Sequence, residues 1–141
     1  MLVVDAQVHI WSQGKPVLHH RQVPSYTAEE CIRDMDGAGV DACLLHPPGW
    51  DPTSVPLAEA AVRRYPGRFA ILGHFPVDKP ESRALIAGWK DRPGMLGLRF
   101  AMLHPHQQAW LTDGTMDWLW PACEKAGIRW DNVPRPAREQ Q

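Results

Sequence analysis

Met35-Asp36-Gly37-Ala38-Gly39-Val40-Asp41-Ala42-Cys43-Leu44-Leu45-His46 runs from the end of a helical pattern, through a glycine stop, into a short apolar stretch that closes on a histidine. After Asp41 the stretch stays apolar instead of alternating with polar residues, as strands buried on both faces of a parallel sheet do. Upstream, Ala28, Cys31, Ile32 and Met35 recur at helical spacing. Thr27-Ala28-Glu29-Glu30 marks the start of that helix: Thr27 can accept the free amide of Glu30 while the Glu30 carboxylate reaches back. Gly37 and Gly39 mark its stop, since a left-handed residue ends a helix at little cost.

The same unit repeats on either side. Leu2–Ala6, Phe69–Gly73 and Met95–Phe100 are further apolar runs. Between the runs, helical spacing returns in Leu57, Ala60, Ala61 and Tyr65, in Leu85, Ile86 and Trp89, and in Met116, Leu119, Trp120 and Cys123. Asp78-Lys79-Pro80-Glu81 reads as a second capping start, and Pro66-Gly67, Pro93-Gly94 and Gly127 as stops. Pro121 inside the last pattern marks either a first turn or a kink. Strand and helix alternating at roughly 30-residue spacing form βαβ units, whose right-handed crossovers make the strands parallel. The expectation is an α/β fold of four parallel βα units over residues 1–127, followed by an irregular tail over 128–141. Ile128-Arg129-Trp130 could begin a fifth strand, but Asp131-Asn132-Val133-Pro134 breaks it.

Composition excludes several classes. In 141 residues, 44% hydrophobic and 22% charged, 15 basic residues face 16 acidic ones for a net charge of −1. This describes a soluble globular domain or part of one and rules out disorder. It gives no electrostatic reason to expect a nucleic acid or an anionic membrane as partner. No apolar run approaches the ~18 residues of a membrane span, and Asp5 interrupts the opening too early for a secretory segment, so the protein is expected to be cytoplasmic. Cys31, Cys43 and Cys123 lie far apart and form no C-x-x-C, so reduced core thiols are expected.

In a parallel sheet all carboxyl ends point to one edge, so residues just after the strands converge there. His9, His46, His74, His104 and His106 each follow a predicted strand, and Trp11, Trp50 and Arg99 lie at the same edge. His19 and His20 fall in a loop of that edge, with rings that diverge if the chain is extended there. Any single histidine is ordinarily a hydrogen-bonded loop residue. Their joint placement points to a histidine-lined pocket suited to proton transfer or metal binding. His104-Pro105-His106 has the spacing of a ligand pair but reads as a loop feature.

Val4-Asp5-Ala6-Gln7-Val8-His9-Ile10-Trp11 resembles the D-x-H-x-H/W opening of the amidohydrolase-related branch of the amidohydrolase superfamily. Met35–Asp41, Tyr65–Phe69 and Gly94–Phe100 extend the likeness, which covers residues 1 to about 127. The resemblance implies the N-terminal half of a (β/α)8 TIM barrel. It implies hydrolysis of a small carboxylated molecule such as a lactone, or decarboxylation of the aminocarboxymuconate-semialdehyde type. It also implies a divalent metal, Zn or Mn, at the first-strand positions held here by Gln7 and His9. An amide is a weaker zinc donor than imidazole. Gln7 therefore reads as a weakened ligand, as a substrate contact in a metal-free site, or as plain packing at the strand end. The likeness further suggests Trp11 as an apolar wall, His46 and His74 as substrate contacts, and Arg99 as the planar fork for a substrate carboxylate.

A full barrel takes about 250 residues, and the family's later histidine and acidic residue have no counterpart in this sequence. A truncated or altered family member is the expectation. Four strands in an open sheet leave edges and an apolar inner face uncovered, so self-association or pairing with another half-barrel is expected as well. The alternative to an enzyme is a non-catalytic half-barrel remnant that binds a ligand or a partner chain.

Overall fold

Each apolar run becomes a strand of one parallel sheet in the computed structural model, which describes residues 1–131, with side chains through Ile128. The strands are β1 (Val4–Val8), β2 (Ala42–Leu45), β3 (Phe69–His74), β4 (Met95–Arg99) and β5 (Arg129–Asp131). They lie in chain order and every neighbouring pair is parallel. Between them come α1 (Ala28–Ala38), α2 (Ser54–Arg64), α3 (Pro105–Ala109) and α4 (Leu119–Ala126).

The local signals act as the sequence implies. The Glu30 amide donates to Thr27 Oγ1 at 3.2 Å, and the Thr27 amide donates to Glu30 Oε2 at 2.7 Å, completing a capping box. Gly39 closes α1 at φ +72°, where a side chain would be strained. α1 buries Ala28, Cys31 and Met35, α2 buries Ala58 and Ala61, and α4 buries Leu119 and Cys123. These faces pack with Cys43, Leu45, Ile71, Met95 and Leu98 from the sheet into one core. All three cysteines are free and buried. Pro121 falls in the first turn of α4, where a missing amide costs no intrahelical bond.

Two expectations need correction. The third helical pattern forms no α-helix; it is a pair of 3₁₀ segments, Pro80–Leu85 and Trp89–Asp91. Lys79 takes the cap position without a side-chain bond, so Asp78 and Glu81 do not act as a box. Gly88 and Pro93 interrupt the stretch before a long helix can propagate. The other difference lies at the C-terminal end, where residues 129–131 pair in register with β4 as a short fifth strand instead of opening an irregular tail. The rest of that tail, 132–141, lies outside the described residues. Among the described residues no helix is long and apolar enough to cross a membrane.

Candidate functional site

The carboxyl end of β1 and the loop that follows it frame an open groove of about 480 Å³, lined by Gln7, Val8, His9, Trp11, His20, Arg21 and Tyr26. Gln7 and His9 thus share one wall. Trp11 forms the apolar side; it is 4% exposed, and its indole donates to the Val23 carbonyl at 3.2 Å. A short antiparallel bridge between Trp11 and Tyr26 closes the base of the intervening loop. The Gln22 amide staples that loop by donating to the carbonyls of Val17 (2.9 Å) and His20 (2.8 Å). Compact loops with joined ends of this sort often carry binding residues.

His9 is the best-defined chemical group of the site. Its Nδ1 lies 2.7 Å from the His46 carbonyl. A carbonyl can only accept, so Nδ1 carries the proton and Nε2 is left with a lone pair. Burial lowers the His9 pKa to about 4, the bond to His46 pulls it back up, and the Arg99 charge adds to the lowering. The ring is therefore neutral at physiological pH. His46 itself is not a wall of the groove: it is 1% exposed, and its Nε2 donates to the Ala6 carbonyl at 3.0 Å, tying β2 to β1. Its contribution to the site comes through its main-chain oxygen.

His20 is the residue that sequence reasoning undervalued. A turn bonded from the His20 amide to the Val17 carbonyl at 2.9 Å breaks the assumed extended chain. The His19 and His20 rings then meet at 4.2 Å between centroids, and His20 lies edge-on to His9 at 4.8 Å and 5.0 Å from Trp50. Trp50 in turn lies 5.6 Å from His9 and 5.7 Å from Trp11. Burial and then the His19 charge lower the His20 pKa. Burial and the 2.7 Å bond that the Tyr26 hydroxyl donates to Asp34 keep that hydroxyl protonated far above its ordinary range.

Asp51, which sequence reasoning passed over, fixes this geometry. It is 1% exposed with no cation bonded to it among the described residues. Its Oδ2 accepts from the Ser12 amide (2.7 Å), the Ser12 hydroxyl (3.3 Å) and the Gln13 amide (3.4 Å). Its Oδ1 accepts from the Thr53 amide and hydroxyl, both at 2.7 Å. Burial alone would raise its pKa, but these bonds outweigh burial and hold the carboxyl at about 2. Gly14 adds a second weld, since a Cβ there would lie 2.1 Å from the Trp50 carbonyl oxygen and its φ is +83°. The loops after β1 and β2 are thereby locked together, with Trp50 held against His9. The signal was in the sequence: Asp51-Pro52-Thr53 directly precedes α2, and an Asp two residues before a Thr favours a side-chain-to-backbone turn.

Arg99 ends β4 beside His74, its register partner in β3. Its charge lowers the pKa of His9, His20 and His74, in each case after the larger effect of burial; His9, His74 and Arg99 stand at the carboxyl ends of parallel strands, and His20 lies against His9. Arg99 Nε is buried without a hydrogen-bond partner, and no ion pair reaches this guanidinium, among the described residues. Asp131 occupies the register position next to Arg99 on β5. His104 and His106 stand apart, stacked on each other at 5.7 Å on exposed surface at the start of α3.

The donor set does not fit a resident zinc ion. Among the described residues no three His, Cys, Asp or Glu side chains converge as ligands. His9 offers Nε2 alone, and Gln7 offers an exposed amide oxygen.

Solved structures share this architecture. A probable 2-pyrone-4,6-dicarboxylic acid hydrolase from Acinetobacter baumannii, crystallised with citric acid bound, matches 92% of this chain and 48% of its own, with TM-score 0.60 and 16% identity. An amidohydrolase from Burkholderia multivorans with bound zinc matches 94% of this chain and 49% of its own, with TM-score 0.72 and 13% identity. No family model and no curated protein matches the sequence. The chain spans about half the length of these structural neighbours, and the likeness shows the fold, an α/β architecture matching about half of each.

Proposed function

We propose that this chain supplies part of the strand-end site of a hydrolase acting on a small carboxylated molecule such as a lactone. The observation that carries the reading is Arg99, a half-buried guanidinium with an unpartnered Nε and no ion pair among the described residues, on the same rim as a neutral histidine. A buried cation without a counter-ion favours an anionic ligand, and the guanidinium fork matches a carboxylate. In this reading Arg99 anchors the carboxylate and Trp11 packs on the ring of the substrate. His9 Nε2 accepts a hydrogen bond from the attacking water while Nδ1 stays on the His46 carbonyl. A base with a pKa of about 4 is weak but unprotonated at neutral pH. The named activities of the two structural neighbours agree with this class of reaction.

One observation favours a second reading, ligand binding without turnover: among the described residues no carboxylate lines the groove, and hydrolysis ordinarily needs a base, an orienting group and a charge stabiliser together. A panel of carboxylated lactones, assayed with and without added Zn²⁺ or Mn²⁺, separates the two. Turnover that Arg99→Met abolishes supports the hydrolase. Saturable binding of the same compounds without turnover supports the second reading, and neither binding nor turnover defeats both.

A further inference from the structure

Three sulfur atoms meet where α1 packs on the sheet. Cys31 and Met35 are four residues apart and share the buried stripe of α1. The Cys31 thiol donates to Met35 Sδ at 3.7 Å. Cys43 is a buried position of β2 in the same core, and its thiol shares a hydrogen bond with that of Cys31. The core also holds a contrast, Cys123, whose pKa is moved by burial alone, upward to about 11. Contact with Cys43 instead lowers the Cys31 pKa against the opposing effect of burial, and the same contact raises that of Cys43, so Cys31 is the first of the pair to ionise.

We propose that Cys31, Cys43 and Met35 form a binding site for a soft monovalent cation, Cu(I). Thiolate and thioether sulfur are the donors that select Cu(I) over harder metals. Metal–sulfur bonds of about 2.3 Å in a trigonal site put the sulfurs about 4 Å apart, and the Cys31 Sγ to Met35 Sδ distance of 3.7 Å already matches that spacing. Thiolate is the form that ligates a metal. The cation therefore replaces the two thiol protons, which pass to solvent, and no electron is exchanged. A route in exists at the groove: Tyr26 is one of its walls, and the Tyr26 hydroxyl touches Cys31 while donating to Asp34 at 2.7 Å, so Cys31 lies behind that wall. The three sulfurs are separate from the strand-end imidazoles, and the site stands whether or not the groove turns over a substrate.

Anaerobic addition of Cu(I) to the reduced 141-residue chain, followed by desalting in excess glutathione, tests the proposal. One copper per chain should be retained, and X-ray absorption should show sulfur neighbours alone at about 2.3 Å. The thermal midpoint should rise, because the ion binds the folded arrangement of donors. Cys31→Ala and Cys43→Ala should each lose the copper. Met35→Leu, which conserves volume, should retain less than one per chain, and Cys123→Ala should retain it in full. X-ray absorption of the wild-type chain reads the ligands directly, so a variant that fails to fold leaves the test decisive. No copper on the wild-type chain, nitrogen neighbours at the copper, full retention in Cys31→Ala, Cys43→Ala or Met35→Leu, or loss in Cys123→Ala each overturns the proposal.

Discussion

Asp51→Asn keeps the shape of a buried side chain and removes its charge, so it isolates what holds the two site loops together. Ser12 and Gln13 donate to one carboxylate oxygen and Thr53 to the other. An amide retains one oxygen and turns its own N–H₂ toward the donors of the other loop. The carboxyl sits at about 2 against an ordinary 3.8, which corresponds to about 2 kcal/mol of stability at neutral pH. A buried backbone amide left without an acceptor adds roughly 1–3 kcal/mol, so the variant should lose roughly 3–5 kcal/mol at pH 7. Urea denaturation measures this. Because the folded pKa is depressed, the charge contribution is complete above pH 3.8 and fades as pH falls through about 2. The gap between wild type and variant should therefore narrow by about 1 kcal/mol at pH 3. A variant within about 1 kcal/mol of wild type at pH 7, or a gap of equal size at both pH values, would show that Asp51 does not hold the loops.

Four further outcomes are expected. His9, whose pKa is lowered from 6.5 to about 4, should keep the NMR signature of neutral imidazole at pH 5; because the unfolded chain takes up that proton first, stability should fall as pH drops from 6.5 toward 4. Arg99→Met should leave circular dichroism unchanged and weaken carboxylate binding roughly tenfold to a hundredfold by calorimetry, the worth of a charge-assisted hydrogen bond. Gly14→Ala meets the Trp50 carbonyl and a positive φ together, so it should cost roughly 1–3 kcal/mol in denaturation and shift the Trp50 indole resonance. Thr27→Ala removes one half of the α1 capping box and should cost about 1 kcal/mol with the site resonances unmoved.

The fold was legible in the sequence because its signals are local. Ala42–Leu45 and Met95–Leu98 stay apolar where a half-exposed strand would alternate, and Thr27 with Glu30 announces α1. Residues 78–91 misled because capping spacing and helical periodicity were both present, yet Pro80, Gly88 and Pro93 leave too short an uninterrupted run for an α-helix. The site was legible in part. His9, Trp11 and Arg99 could be placed from strand ends alone, since parallel topology fixes where those ends lie. His46 also ends a strand, but its ring turns inward to the Ala6 carbonyl, and strand position says nothing about which way a ring turns. His20 depends on one turn in the loop, and Asp51 on bonds to residues 38 and 39 positions away; periodicity does not encode such long-range contacts.

An NMR titration of the histidine side chains with malonate, a small dicarboxylate, addresses the claim on which the rest depends: that imidazoles from separate strands and Arg99 share one rim. His9, His20 and His74 should shift along a single saturation curve, His104 and His106 should not respond, and Arg99→Met should abolish the effect. Three curves with unrelated affinities, or a response unchanged in Arg99→Met, would show that these groups do not form one site.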